Sequence, residues 1–390
     1  MKDCKNNFRI VNGWSKAGVG TSIVLAFSSS AKKKNPPTIA LDLGATPAYI
    51  DSIRASCVLL THGHMDHIGA IFSHARAHQL TFGGSSVPTY YVPLEILPLV
   101  EAAQKAMTAI DAAGRDDHSL LQMNLVGVTP GQEVVLPFRK LSGVELFVRP
   151  FRTTHAGCPS VGYILGTRWR RTELKAAYRG LPGEELRDLA RSGVDLKDEV
   201  VSEELDVAYT GDTTIDALLT SLGNETATTI SSSSDDDVKL ENKQSQLYQC
   251  HTFLCECTFL DTESQDLARD RGHMHVNDVV RLLKLRVDES SSNMQRIILL
   301  HISGRYGASQ ALASLADAIP PHFHDRVDVA VMSLSGSEKY QELATGGASG
   351  EWTVSLLAYV QRKQQQVQEQ ETAPMTNQLD PVSTLRVDST

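Results

Sequence analysis

Three imidazoles and a carboxylate fall within six residues in Thr61-His62-Gly63-His64-Met65-Asp66-His67-Ile68-Gly69. Imidazole nitrogen and carboxylate oxygen both ligate zinc, and packing alone does not ask for four such groups in one loop. The apolar run Cys57-Val58-Leu59-Leu60 leads into them and reads as a short buried strand, with Gly63 and Gly69 marking a tight loop at its end. Four side chains able to bind a metal are thus presented at the rim of a sheet.

His155, Asp212 and His301 occupy the same niche, each at or just past the end of an apolar strand. Taken singly, His301 reads as a satisfied histidine and Asp212 in Gly211-Asp212-Thr213 as a turn or helix cap. Taken with His62, His64, Asp66 and His67, they complete five histidines and two aspartates, the inventory of a two-zinc hydrolytic centre.

These groups must be positioned by a sizeable fold, and 390 residues with 41% apolar content are enough for one large domain or two smaller ones. No stretch of roughly 18 apolar residues occurs, and Met1 to Asn7 lacks the apolar core of a signal peptide, so a soluble, cytosolic protein is expected. Cys4, Cys57, Cys158, Cys250, Cys255 and Cys257 are scattered, which argues against a disulfide framework. Cys250, His251, Cys255 and Cys257 are zinc-type ligands, yet Phe253 to Phe259 reads as a buried strand and favours small buried cysteines. The net charge of −9 disfavours indiscriminate nucleic-acid binding and leaves room for a local basic face.

Along the chain, Phe8 to Gly44 reads as a β-meander with glycine- and lysine-containing turns. Leu94 to Ala113 carries helical spacing, and strand character returns in Leu125 to Phe138 and Val144 to Phe151. Charges from Arg168 to Val194 follow a helical, solvated pattern around the turn Gly180-Leu181-Pro182-Gly183. Strands are expected at Val207 to Thr210, Phe253 to Phe259 and Arg296 to Leu300, with a helix starting near Val276. Residues 221–246 read as a low-complexity insertion and 361–390 as a disordered tail, because serines, acids and glutamines without apolar periodicity bury too little surface. Strands inside and helices outside suit a layered α/β protein.

Thr61 to His67 resembles the signature of the metallo-β-lactamase superfamily. The later motifs narrow the resemblance to its ribonuclease Z family of tRNA 3′-processing endonucleases, in the short plant-type form. They are Thr154-His155 with Pro159-Ser160-Val161-Gly162-Tyr163, Gly211-Asp212-Thr213-Thr214, Glu256 to Asp261, Gly272-His273-Met274-His275, and His301-Ile302-Ser303-Gly304-Arg305-Tyr306. Tyr178 to Glu185 and Ser192-Gly193-Val194 resemble the plant-type group in particular. The resemblance covers about Gly13 to Val331, interrupted at Ser221 to Gln246 and at Asp288 to Asn293.

It implies an α/β fold, the αββα sandwich of two mixed sheets between helices, as one domain over residues 8–340. It implies two zinc ions per subunit, one held by His62, His64 and His155, the other by Asp66, His67 and His301, with Asp212 bridging. Two histidines one residue apart on an extended segment can point to one ion while the Asp66-His67 pair turns toward a second. Asp66 is further expected to orient the attacking hydroxide, and Asp42 to anchor the loop without being a ligand. The family pattern has a histidine steered by a glutamate to protonate the leaving alkoxide, and His273 with Glu256 match it, His275 being the alternative. Arg305 matches a phosphate contact.

The implied activity is removal of the 3′ trailer from precursor tRNA by metal-hydroxide attack on a phosphodiester, leaving a 3′-hydroxyl. The alternative is a hydrolase of small phosphodiesters, thioesters or sulfate esters on the same fold. The family's tRNA-gripping arm corresponds here to residues 163–204. Its first half, with Arg168, Trp169, Arg170, Arg171, Lys175 and Arg179, reads equally as a phosphate contact or a solvated helix face, and its second half is acidic. A homodimer, no membrane association and a cytoplasmic location with the nucleus open complete the expectations.

Overall fold

In the computed structural model, residues 7–28, 36–44, 52–83, 86–113, 121–138, 141, 143–219, 245–287, 292–345 and 352–372 are described. β1 (Phe8–Lys16), β2 (Gly20–Phe27) and β3 (Thr38–Leu41) form the expected antiparallel meander. β4 (Cys57–Leu59), β5 (Thr89–Pro93) and β6 (Asn124–Val128) continue that sheet in parallel, with the helices Ile71–Phe82 and Leu97–Ala112 as crossovers. A second, mixed sheet is built from β7 (Val134–Val135), β8 (Val144–Arg152), β9 (Val161–Leu174), β10 (Lys197–Tyr209), β11 (Thr252–Glu256), β12 (Arg296–Leu300), β13 (Val327–Val329), β14 (Ala344–Thr345) and β15 (Thr353–Ser355). Its order is β14-β15-β13-β12-β11-β10-β9-β8-β7, with β10 to β13 parallel.

Strand periodicity sorts the side chains into layers, because successive residues point to opposite faces. Cys57, Leu59, Ile39, Leu41, Leu254, Ile298, Leu300, Tyr163 and Tyr209 meet between the sheets. Val58, Leu60, Tyr90 and Val92 face the other way, onto Ile71, Ala75 and Val100 of the first two helices. Phe253, Cys255, Ile297 and Leu299 likewise cover Val276, Val279, Ala311, Leu312 and Leu315 of the helices Val276–Leu282 and Ala308–Ala318. Helix, sheet, sheet and helix therefore stack as an αββα sandwich, as the sequence implied. Cys250, Cys255 and Cys257 are buried in this packing, and the described residues hold no disulfide.

Three expectations change. The basic run from Arg168 is not helical: it is the outer half of β9, paired residue for residue with β10 from Glu203↔Arg168 to Lys197↔Leu174. Only Gly183–Arg191, at the tip of this long hairpin, is an α-helix. The domain also runs past residue 340, since β15 pairs with β13 and Trp352, Val354, Leu356 and Tyr359 are buried. Residues 361–372 are not a disordered tail either, because Leu356 and Tyr359 anchor a helix that continues to Thr372. Residues 220–244 and 373–390 lie outside the described residues, and so do 288–291 of the shorter insertion. Among the described residues, no helix is long and apolar enough to cross a membrane.

Candidate metal centre

The carboxyl ends of β3, β4, β8, β10, β11 and β12 converge on one rim, and each delivers a polar side chain there. Close backbone approach makes this possible. A Cβ on Gly44 would lie 1.9 Å from the Asp66 carbonyl oxygen, and one on Gly272 would lie 2.2 Å from the Ala156 nitrogen. Asp42, Ala156 and His301 take positive φ of 53°, 38° and 59°, a strained conformation for non-glycine residues that tends to gather at functional sites.

The seven expected ligands meet. Ligand atoms of His62, His64 and His155 lie within 4.8 Å of one another, as do those of Asp66, His67 and His301. Asp212 Oδ2 sits between the groups, 3.8 Å from His62 Nε2, 3.9 Å from His155 Nε2, 3.3 Å from His67 Nε2 and 3.4 Å from His301 Nε2.

Outer hydrogen bonds fix which nitrogen each ring presents. Thr61 Oγ1 donates to Asp42 Oδ2 (2.9 Å) and so accepts from His62 Nδ1 (3.0 Å). His67 Nδ1 donates to Asp42 Oδ2 (2.8 Å) and His155 Nδ1 to the Gly272 carbonyl (2.9 Å). Thr258 Oγ1 donates to Glu256 Oε2 (2.6 Å) and accepts from His301 Nδ1 (3.0 Å). All four rings therefore turn Nε2 toward the centre. Asp42 is fully buried, accepts the Thr61 amide at 2.7 Å and also takes the Tyr209 hydroxyl at 2.6 Å, so both its oxygens are committed to holding the loop.

The buried carboxylates draw positive charge into this cluster. Burial opposes protonation of His67, but the carboxylates of Asp212 and Asp42 outweigh it and hold its basicity well above the usual imidazole range. Burial, reinforced by the His67 charge, holds His62 well below that range. The Asp212 carboxyl is kept ionised, since His301 and His67 overcome its desolvation. His62 Nε2 and Asp212 Oδ1 are buried with no hydrogen-bond partner. Orphaned buried polar atoms are costly, and metal ions bound among these donors would satisfy them.

Beside the centre, His273 Nδ1 lies 3.2 Å from both carboxylate oxygens of Glu256 and 3.9 Å from Asp212 Oδ2. Glu256 is buried and held by the Thr213 and Met274 amides at 2.5 and 3.2 Å. Although burial works against the charged ring, Glu256 pushes the pKa of His273 up to about 9. His275 is occupied elsewhere: it caps the helix Val276–Leu282, accepting the Asn277 amide at 3.1 Å, and its Nε2 contacts the Asp261 carbonyl at 2.8 Å. Arg305 is exposed, its guanidinium 5.0 Å over the Phe259 ring.

Sequence reading missed the tip of the first hairpin. The Gly18 amide donates to Asp66 Oδ2 (2.8 Å), Ser15 Oγ accepts the His301 amide (2.9 Å), and Lys16 runs alongside Gly304. The only signal was a lysine- and glycine-containing turn. The arm differs as well: Arg168 pairs with Glu133, Glu145 and Glu203, Arg170 with Glu145 and Glu199, and Lys175 with Asp195. These cations are neutralised by their own hairpin and its neighbours.

No family model matches the chain. The tRNase Z TRZ1 of Arabidopsis thaliana is 31% identical over 291 residues, which span 74% of this chain and 86% of that protein. The chain belongs to the ribonuclease Z family. A second relative in this family, the chloroplastic tRNase Z TRZ2 of the same plant, is 25% identical over 68% of this chain and 62% of its own length. Among solved structures, the human short-form tRNase Z is 13% identical with a TM-score of 0.41, covering 76% of this chain and 93% of that one. As a ribonuclease Z family member, the chain has the metallo-β-lactamase fold, and its clustered histidines and aspartates fit a metal-dependent hydrolase.

Proposed function

We propose that this chain is an endoribonuclease that removes the 3′ trailer of precursor tRNA, holding two zinc ions per subunit in the two ligand groups bridged by Asp212. The observation that carries the reading is the Glu256–His273 pair, with His273 Nδ1 3.9 Å from Asp212 Oδ2, a proton donor at the edge of the clustered histidines and aspartates. Held by these residues, two zinc ions would supply an activated water near neutral pH and would offset charge on the phosphodiester oxygens.

The chain's own residues do the rest. Asp66, fixed by the Gly18 amide and partly open to solvent, orients the attacking water. Oxygen from that water bonds to phosphorus while the bond to the 3′ oxygen of the tRNA breaks. His273, its Nδ1 proton held by Glu256, passes its Nε2 proton to the departing oxygen. The tRNA leaves with a 3′-hydroxyl and the trailer keeps the phosphate. Arg305, next after Gly304 in the chain, and Lys16, whose side chain runs alongside Gly304, contact the neighbouring phosphates. The experiment that tests this reading presents a precursor tRNA, a thioester and a small phosphodiester to the zinc-loaded protein. RNA binding should weaken steeply with salt and the trailer should be removed, whereas thioester turnover without RNA cleavage would establish the small-ester alternative.

A homodimer goes with this reading. The helix Leu97–Ala112 leaves Leu99 and Ile110 70% and 69% exposed, with Ala103 and Ala106 between them at helical spacing, an apolar stripe that a second copy would cover. Wild type should sediment as a dimer and the double variant Leu99→Asp, Ile110→Asp as a monomer. A monomeric wild type at micromolar concentration would overturn the dimer.

A further inference from the structure

We propose that a hollow between the last helix and residues 337–343 binds the single-stranded 3′ trailer of the RNA, a site that rests on the function proposed above. The hollow measures about 380 Å³ and is lined by Lys339, Tyr340, Tyr359, Arg362, Lys363 and Gln366. Positions 359, 362, 363 and 366 share one face of the helix Leu356–Thr372. Arg362 donates to the Lys339 carbonyl (3.0 Å), which fixes its guanidinium at the hollow, and the Lys363 ammonium lies 5.7 Å from the centre of the Tyr359 ring.

Charge and connectivity both favour a nucleic-acid strand. Arg168, Arg170 and Lys175 of the arm each sit within 4.0 Å of a carboxylate, but Lys339, Arg362 and Lys363 have none that close among the described residues. Asp317 faces Tyr359 at longer range, and Glu338 and Glu342 lie exposed on the neighbouring segment. Three cations with no carboxylate within 4.0 Å, beside the half-buried Tyr340, match the way single strands are held, by backbone charge and base stacking. The Tyr340 hydroxyl bonds Ser309 Oγ (2.9 Å), and Ser309 lies four residues, at most about 14 Å of chain, beyond Arg305 in the segment that leaves the His301 loop. The trailer is the unpaired part of a precursor tRNA next to the scissile bond, so it is the segment placed to reach the hollow.

The test uses the full chain, with the triple variant Lys339→Ala, Arg362→Gln, Lys363→Ala and the conservative variant Arg362→Lys. RNA affinity is measured across a salt series for a precursor with a long trailer and for trailerless tRNA. The triple variant should bind the long-trailer RNA about 10-fold more weakly and flatten the log–log salt slope by about 2, near 0.7 per lost single-strand phosphate contact. Arg362→Lys should keep wild-type affinity, and an unchanged melting midpoint shows that the triple variant is folded. Wild-type affinity and slope in a folded triple variant would overturn the proposal, and so would an equal loss on trailerless tRNA. A wild type that binds no precursor tRNA would instead overturn the function proposed above and the trailer site with it.

Discussion

Asp212→Ala will remove zinc and turnover together, and His64→Ala will do the same. Asp212 is buried, and its Oδ2 lies within 3.3 to 3.9 Å of nitrogens on His62, His67, His155, His273 and His301, so no other side chain can take its place between the two groups. His64 reaches the centre from the N-cap of a single helical turn, with its Nδ1 3.0 Å from His155 Nε2. Losing either should cost more than the roughly 10- to 100-fold in metal affinity or activity carried by partners outside the ligand set. Elemental analysis of the purified variants reads the first effect and cleavage the second. Full zinc in an inactive Asp212→Ala or His64→Ala protein would contradict the ligand assignment.

His273→Ala separates chemistry from metal binding. His273 is held by Glu256 and lies outside the two groups that match the expected zinc ligands, so zinc content should stay at the wild-type level. The cleavage rate should fall by about 10²- to 10⁴-fold, the usual worth of a positioned general acid. His275→Ala tests the alternative. That residue caps a helix, so its loss should lower stability by about 1 kcal/mol and leave the rate near wild type. Unchanged turnover in His273→Ala would take the proton-donor role away from it.

The clustering of the seven proposed ligands was legible because metal chemistry restricts residue type and strand ends restrict position. His62 to His67 are local, and His155, Asp212 and His301 each follow a short apolar run. What decides between His273 and His275 is not local: Glu256 reaches across 17 residues to the first, while the second spends both nitrogens on a cap and a carbonyl. The arm misled for the same reason. Arg168, Arg171, Lys175 and Arg179 fit helical spacing as well as a strand, and the acids that draw this run into a sheet, Glu145 and Glu203, lie 23 and 35 residues from Arg168. The end of the chain was misjudged because Leu356, Tyr359 and Val360, packed on the core, anchor a helix whose residues from 361 onward are polar apart from Val367. Lys16 carried no signal beyond its turn, since its position beside Gly304 exists only once the first hairpin folds against the His301 loop.

The most direct test maps the ends left on a precursor tRNA by the zinc-loaded protein under single-turnover conditions. The account predicts one cut that frees the trailer with a 5′-phosphate, leaves the tRNA with a 3′-hydroxyl, and disappears with chelator. An intact precursor under conditions where a thioester or lactone is rapidly hydrolysed would contradict it.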